Sequence, residues 1–409
     1  MFFPPRAFVH STLARSASAT RTTAVCLVAC RRSRLFTSSA ARADRALVYA
    51  ENGDPAKVLT VLTYPTISAP PPNSVNVKFL LAPINPADIN VIEGVYPSKP
   101  TKTDALAIAG LGSEGKPVFV GGNEGVALVT AVGSGVKDLR VNDLVVMTKP
   151  QTGTWSTSKN VAITDVVKIP DAEQLSEVQC ATITVNPATA YNMLTNFVEL
   201  HEGDWVIQNG ANSAVGQAVI QIAASRGLKT INLVRNRDNL DQLKNSLHSL
   251  GATQVLTYDE LAEKSAREKV KSWTQGKQIS LGLNCVGGKE TTLMAKFLGS
   301  NAHLVSYGAM SKQPLSLPTS LFIFKNLTAH GFWQTQWYNE KSPAEREILM
   351  GNIVNLMVQK KLKTPEHEVV TVEAEDSDDQ ATEKMRAVMS KLAEGRFGKK
   401  VLLKIEDTE

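Results

Sequence analysis

Between residues 204 and 333 the chain alternates short apolar extended runs with helical patterns, and this constrains its fold more than any other feature. After an apolar run opening at Asp204, extended runs fall at 230–234, 254–258, 279–286, 303–307 and 327–333. Helical patterns fill 238–250, a charged stretch from Glu260, and 289–298. Parallel neighbours need a crossover and a helix supplies one, so this alternation predicts a parallel, doubly wound sheet. Ligands of such sheets gather at the carboxyl ends of the strands. The residues just after each strand are therefore the ones to read for chemistry.

The first such segment is Gln208-Asn209-Gly210-Ala211-Asn212-Ser213-Ala214-Val215-Gly216, which opens a helix with Val215, Val219, Ile222 and Ala223 on one face. Small side chains let the backbone approach a pyrophosphate, and a helix N-terminus offers free N–H groups and a favourable dipole. With glycine only at 210 and 216, the motif alone is weak. The next strand, 230–234, ends at Arg235-Asn236-Arg237. Folds that prefer NAD place an acid about 20 residues after the glycines, where it binds the ribose 2′-hydroxyl. Two arginines instead offer forked donors to a 2′-phosphate, which favours NADPH over a merely solvated basic turn. Tyr307-Gly308-Ala309-Met310 and Phe332-Trp333-Gln334-Thr335 follow two further strands. A tryptophan such as Trp333, taken alone, is as often core as site.

Upstream, a strand at 75–82 runs into Pro83-Ile84-Asn85-Pro86-Ala87-Asp88-Ile89-Asn90 and then Gly94-Val95-Tyr96-Pro97. Read as two proline-marked turns, this places Tyr96 on a restrained loop at a strand end. A phenol of pKa about 10 is a poor base at neutral pH but a serviceable proton donor to a carbanion or enolate. The plainer alternative is a surface tyrosine packed on its own loop.

Composition excludes several classes. The chain has 409 residues, enough for two domains, and a formal charge of +5. Seven arginines and no acid or lysine lie in residues 1–43. The rest carries 37 basic against 39 acidic residues, a net of −2, so nothing points to a nucleic-acid surface. The arginine-rich, Ser/Thr/Ala-rich start fits a mitochondrial presequence, and Arg34-Leu35-Phe36-Thr37-Ser38-Ser39 resembles a two-step processing site leaving a start near Asp44. A secretory signal and a disordered basic tail are the alternatives. The apolar run 24–30 is far shorter than the roughly 20 residues of a membrane span. Beyond the presequence only Cys180 and Cys285 remain, and the histidines at 10, 201, 248, 303, 330 and 367 are scattered, which indicates neither a disulfide framework nor a zinc site. The glycine-rich stretch 110–122 reads as a surface loop.

Several motifs, in this order, carry a resemblance: Ile84–Asn90 with Gly94-Val95-Tyr96, Gly121-Gly122-Asn123-Glu124-Gly125-Val126, Gly153-Thr154-Trp155 and Val185-Asn186-Pro187-Ala188-Thr189-Ala190-Tyr191. They continue with Arg235-Asn236-Arg237, Asn284-Cys285-Val286-Gly287-Gly288-Lys289, Ser306-Tyr307-Gly308-Ala309-Met310-Ser311-Lys312-Gln313-Pro314 and Gly331-Phe332-Trp333. Over residues 45–405 the chain resembles the zinc-free branch of the medium-chain dehydrogenase/reductase superfamily and, within it, the mitochondrial trans-2-enoyl thioester reductases. Zinc alcohol dehydrogenases carry a histidine where this chain has Asn123, and need clustered cysteines that it lacks.

The resemblance implies an α/β fold with a GroES-like, mostly-β catalytic domain from 44–185 and 361–409. A doubly wound Rossmann domain, 186–360, would be inserted between those parts, with the active site in the cleft. It implies cofactor contacts at Asn186, Asn212, Ser213, Ala214, Val215, Arg235, Asn236, Arg237, Tyr307, Gly308, Ala309, Met310, Phe332, Trp333, Gln334, Thr335 and Lys400, with no metal ligand. Lys400 could equally be a charged turn before a final strand at 401–403. Tyr96 is then the proton donor and Trp333 helps shape the acyl pocket. Further implications are an acyl carrier protein partner, a homodimer and a place in the mitochondrial matrix. Two rival readings are an NADPH:quinone oxidoreductase on the same scaffold and a nucleotide-binding regulator; no Leu-x-x-Leu-Leu motif supports the latter.

Overall fold

Strand order identifies the architecture. In the computed structural model, which describes residues 43–103, 117–395 and 397–408, six strands between Trp205 and Gly331 form one parallel sheet. Across it lie Gln254–Thr257, Lys229–Val234, Trp205–Gln208, Ile279–Asn284, His303–Ser306 and Thr328–Gly331, so the order reverses between Trp205–Gln208 and Ile279–Asn284. All five pairings are parallel. The expected doubly wound sheet is present, and the crevice at that reversal is where such folds bind ligands. Residues 1–42 of the expected presequence, and 110–116 of the glycine-rich loop, lie outside the described residues.

A second sheet draws on both ends of the chain. His367–Val372 and Lys400–Ile405 join Ser74–Pro83, Val126–Val132, Leu144–Met147 and Val166–Lys168, with Ser158–Ala162 also paired to Ser74–Pro83. The strand Ala43–Tyr49 sits between Thr60–Pro65 and Phe119–Val120 in a third, small sheet. The sequence from 205 to 331 is thus an excursion between two parts of one mostly antiparallel layer. An apolar core runs through both: Leu81, Val126 and Val146 pack in the same cluster as Met193, Val206, Leu281 and Leu283. A fully buried side chain of this kind contributes roughly 1.5–3 kcal/mol.

Local chemistry moved several expected boundaries. The segment after residue 82 is not two turns but the helix Pro86–Ile92. Asn85 caps it, proline occupies its first turn and Asp88 closes a capping box, all of which favour a helix start. Extended structure stops at Thr257, because Thr257 and Glu260 form a capping box that starts Tyr258–Ala262. The charged helix expected from Glu260 is two helices, Tyr258–Ala262 and Ala266–Thr274. The helix expected over 289–298 is Gly288–Ala295, and the last parallel strand ends at Gly331 rather than Trp333. Lys400 is the first residue of its strand, not part of a preceding turn.

Candidate active site

Tyr96 is presented by the end of the Pro86–Ile92 helix. Gly94, at φ 81°, turns the chain there; its N–H donates to Val91 O at 3.0 Å, and those of Val95 and Tyr96 donate to Asn90 O. A left-handed glycine is the common way to stop a helix, and a side chain here would also press on Asn52. The phenol is thereby carried to the parallel sheet. Trp333 Nε1 donates to the Tyr96 hydroxyl at 2.7 Å, and the two rings meet edge to face with centroids 5.8 Å apart. Burial raises the Tyr96 pKa; donation from Trp333 and Thr335 opposes that shift, while the Asp88 carboxyl adds to it. The net effect keeps a proton on the phenol at neutral pH.

Trp333 owes its place to the helix Gln334–Glu340, for which it is the N-cap. Asn192 Nδ2 donates to Gln334 Oε1 at 3.0 Å, and the Tyr338 hydroxyl donates to Thr184 O at 2.8 Å, so this helix is fixed to the helix Asn186–Thr195 and to the segment leading into it. Around the Tyr96–Trp333 contact lies a cavity of about 160 Å³ whose lining includes Asn123, Thr184, Val215, Tyr307, Phe332 and Thr335. Met147 of the second sheet and Tyr307 and Phe332, which directly follow strands of the parallel sheet, therefore face one space. A larger groove of about 990 Å³ lies on the other side of Phe332 and Trp333, lined among others by Tyr191, Phe197, Trp337 and Leu349.

The predicted nucleotide loop has the close packing that a phosphate cradle needs. Ser213 caps the helix Ala214–Ser225, its hydroxyl accepting from Gly216 N at 3.1 Å, while Ala214 and Val215 supply amides without intrahelical acceptors. Gly210 has φ 60°, and a Cβ there would lie 2.5 Å from Cys285 Sγ; a Cβ on Gly216 would lie 2.6 Å from Ala211 O. The two glycines of a sparse motif are thus the two that the packing demands. Beneath the loop, Asn209 Nδ2 donates to Asn284 Oδ1 and Thr291 Oγ1, and Asn209 Oδ1 accepts from Cys285 N. This support was not foreseen, and no sequence pattern signals it.

Arg235 is exposed and Arg237 half-buried at the end of their strand, and Arg237 Nε is buried without a partner. Neither guanidinium pairs with a carboxylate among the described residues. A 2′-phosphate would satisfy that orphaned donor, so the residues present fit NADPH. Tyr307 N donates to Asn284 O and Met310 N to Cys285 O, holding residues 307–310 beside the loop. Asn236 and residues 308–310 are exposed, while Asn186, Asn212, Ser213 and Ala214 are half-buried near the same strand ends. Lys400 stands apart: its ammonium donates to Ile84 O at 3.0 Å and to Asn85 Oδ1, facing Glu124 and Asp88.

Asn123, at the position of the zinc-ligand histidine, accepts from Gln151 N at 2.7 Å. Among the described residues no group of three His, Cys, Asp or Glu side chains is arranged to hold a metal ion, and no helix is long and apolar enough to cross a membrane.

Comparison with known proteins decides the family. A mitochondrial enoyl-[acyl-carrier-protein] reductase of Yarrowia lipolytica is 43% identical over 359 residues, covering 88% of this chain and 91% of the relative. This chain belongs to the mitochondrial enoyl-[acyl-carrier-protein] reductase family. The human member is 42% identical over 321 residues, 78% of this chain and 80% of its own length. Residues 214–349 match the family described as zinc-binding dehydrogenase. Among solved structures, the Candida tropicalis 2-enoyl thioester reductase Etr1p/Etr2p heterodimer matches with TM-score 0.81 and 36% identity, over 88% of this chain and 99% of that one. A complex of Etr1p with NADP and crotonyl-CoA matches equally well, with the same coverage. The α/β fold described above is thus shared with these enoyl thioester reductase structures.

Proposed function

We propose that this chain is an NADPH-dependent enoyl reductase that converts trans-2-enoyl thioesters, carried on acyl carrier protein or CoA, to saturated acyl thioesters in mitochondrial fatty acid synthesis. The observation that carries the mechanism is a phenol held by a Trp333 hydrogen bond in a cavity between the second sheet and the segments that follow the parallel strands. When bound, NADPH supplies a hydride to the β-carbon of the enoyl thioester. Tyr96 keeps its proton until charge develops at the α-carbon, then transfers it there. Trp333 and Thr335 donors stabilise the oxygen that proton leaves. Phe332 and Trp333 border the larger groove, whose Tyr191, Phe197, Trp337 and Leu349 side chains suit an acyl tail beside polar residues such as Asn192, Gln336 and Glu345.

On this reading Asn212 through Val215 take the pyrophosphate and Arg235 through Arg237 take the 2′-phosphate. Asn186, Tyr307 through Met310 and Phe332 through Thr335 line the nicotinamide half. A cofactor contact by Lys400 would require it to exchange its bonds to Ile84 and Asn85. The catalytic domain is 44–185 with 361–409, and 186–360 is the dinucleotide domain; the shared second sheet supports that division. No metal takes part, in keeping with Asn123. The relatives' mitochondrial names and the basic first 43 residues support import, with the matrix as destination. A homodimer through the dinucleotide domains is supported by the edge strand Thr328–Gly331 and exposed Ile323 and Phe324.

The test uses the chain without residues 1–43, NADPH or NADH, and a short trans-2-enoyl-CoA, following loss of the reduced nicotinamide. Turnover with NADPH and weak turnover with NADH are expected, and Tyr96→Phe should lose about 100-fold or more in kcat. A Tyr96→Phe variant that keeps kcat and only raises KM would reduce Tyr96 to an orienting role. Quinone reduction surviving that substitution, without enoyl turnover in the parent, would favour the rival reductase.

A further inference from the structure

The motif Gly121-Gly122-Asn123-Glu124 carries a buried carboxylate for which the reaction above has no use. Glu124 is 1% exposed. Its Oε2 accepts from Asn85 Nδ2 at 3.0 Å, and Asn85 is the cap of the helix that presents Tyr96. Its Oε1 accepts from Thr184 Oγ1 at 3.1 Å and from Val185 N at 2.7 Å. Thr184 O in turn receives the Tyr338 hydroxyl from the helix that Trp333 caps. These contacts form a loop that closes on the Trp333–Tyr96 hydrogen bond.

The backbone that carries this carboxylate is itself held in place. Gly121 and Gly122 lie flat against Trp155, where a Cβ on either would come within 2.4 Å of the indole, and the Thr154 hydroxyl donates to Glu124 O at 2.8 Å. Burial pushes the Glu124 carboxyl up, while the Lys400 ammonium and the Asn85, Val185 and Thr184 donors oppose this. Lys400 thus supplies counter-charge inside the protein. A buried carboxylate with one cation and three donors costs more than an apolar packing of the same shape unless its geometry serves a purpose.

We propose that Glu124 is a positioning residue for enoyl reduction, clamping the Tyr96-bearing helix to the Thr184–Val185 strap and thereby fixing the separation of Tyr96 and Trp333. This rests on the proton-donor reading of Tyr96. Misplacement of a reacting group by about 1 Å can cost on the order of 100-fold, so a distant clamp is visible in turnover.

The test is a double-mutant cycle of Glu124→Gln with Tyr96→Phe in the chain lacking its first 43 residues. Glu124→Gln should lower kcat by about 10-fold or more while NADPH affinity, read by fluorescence titration, stays within about 3-fold. In the Tyr96→Phe background it should cost less than about 3-fold more, because there is no phenol left to position. Losses that multiply independently, or NADPH affinity falling in step with kcat, would overturn the inference. Thr184→Val removes one donor at nearly constant volume and should show the same pattern on a smaller scale; it carries the test if Glu124→Gln does not fold. If Tyr96→Phe alone keeps full turnover, the proton-donor reading has failed in the single variant, whatever Glu124 does.

Discussion

Replacing Trp333 by phenylalanine removes the indole donor that lies 2.7 Å from the Tyr96 oxygen, and keeps an aromatic ring at the edge-to-face contact. In the resting enzyme this is a bond between neutral groups, with a net value of about 1 kcal/mol. On the proton-donor reading, the oxygen acquires negative charge as the proton leaves and the same bond becomes charge-assisted, worth roughly twice as much. Only the difference, about 1–1.5 kcal/mol, accelerates the chemical step, because binding that is equal in ground and transition states does not raise kcat. That difference corresponds to a fall of about 5- to 15-fold. Losing the donor also removes an influence that lowers the Tyr96 pKa, making the phenol a weaker acid still. Steady-state kinetics with NADPH and a short trans-2-enoyl-CoA should therefore show a reduced kcat with a KM for NADPH changed by less than about 3-fold. An unchanged kcat would refute the claim that charge develops on this oxygen in the rate-limiting step, and a loss confined to KM would make the indole a binding surface.

Other consequences are equally accessible. Arg235→Ser with Arg237→Ser should lower kcat/KM for NADPH by about 10- to 100-fold or more and leave NADH nearly unaffected, since contacts to a charged phosphate contribute about 1.5–3 kcal/mol each; parallel loss with both cofactors would contradict the 2′-phosphate assignment. Gly216→Ala should lower the melting temperature although alanine is the better helix former, because its Cβ would meet Ala211 O at 2.6 Å, an overpacking of about 1–3 kcal/mol. Burial, aided by Glu124 and opposed by Asn85 N and Lys400, raises the Asp88 pKa to about 7. The folded state then binds more protons than the unfolded one between about pH 4 and 7, so this group makes stability fall as pH rises through that window. Asp88→Asn should accordingly gain melting temperature relative to the parent between pH 5 and pH 8, and a difference that stays constant with pH would count against the buried acid.

What could be read before the structure followed from local regularities. The parallel sheet was legible because each strand and crossover helix repeats a short hydrophobic period, and the position of Arg235 and Arg237 just after a strand end was legible because that strand is short and apolar. The Pro86–Ile92 helix was missed because Asn-Pro serves both as a turn and as a helix start, and only the closing bond from Asn85 N to Asp88 Oδ2 distinguishes them. The site itself depends on contacts that no local pattern encodes. Tyr96 and Trp333 are 237 residues apart in sequence, and Glu124 lies 39 and 61 residues from Asn85 and Val185. A glutamate beside two glycines showed that something was close-packed there, but not what it held. Lys400 is the instructive case: the lysine that opens the final strand has its ammonium on Ile84 and Asn85, and only tertiary structure shows that.

The most direct measurement is the fate of two labels in one turnover. With NADPH deuterated at the transferable C4 position, and separately with unlabelled NADPH in deuterated water, the saturated thioester is analysed by NMR. The nicotinamide deuterium should appear only at the β-carbon and the solvent deuterium only at the α-carbon, with both incorporations slowed alike by Tyr96→Phe. Nicotinamide label at the α-carbon, or α-deuteration that proceeds at full speed without the phenol, would contradict the account.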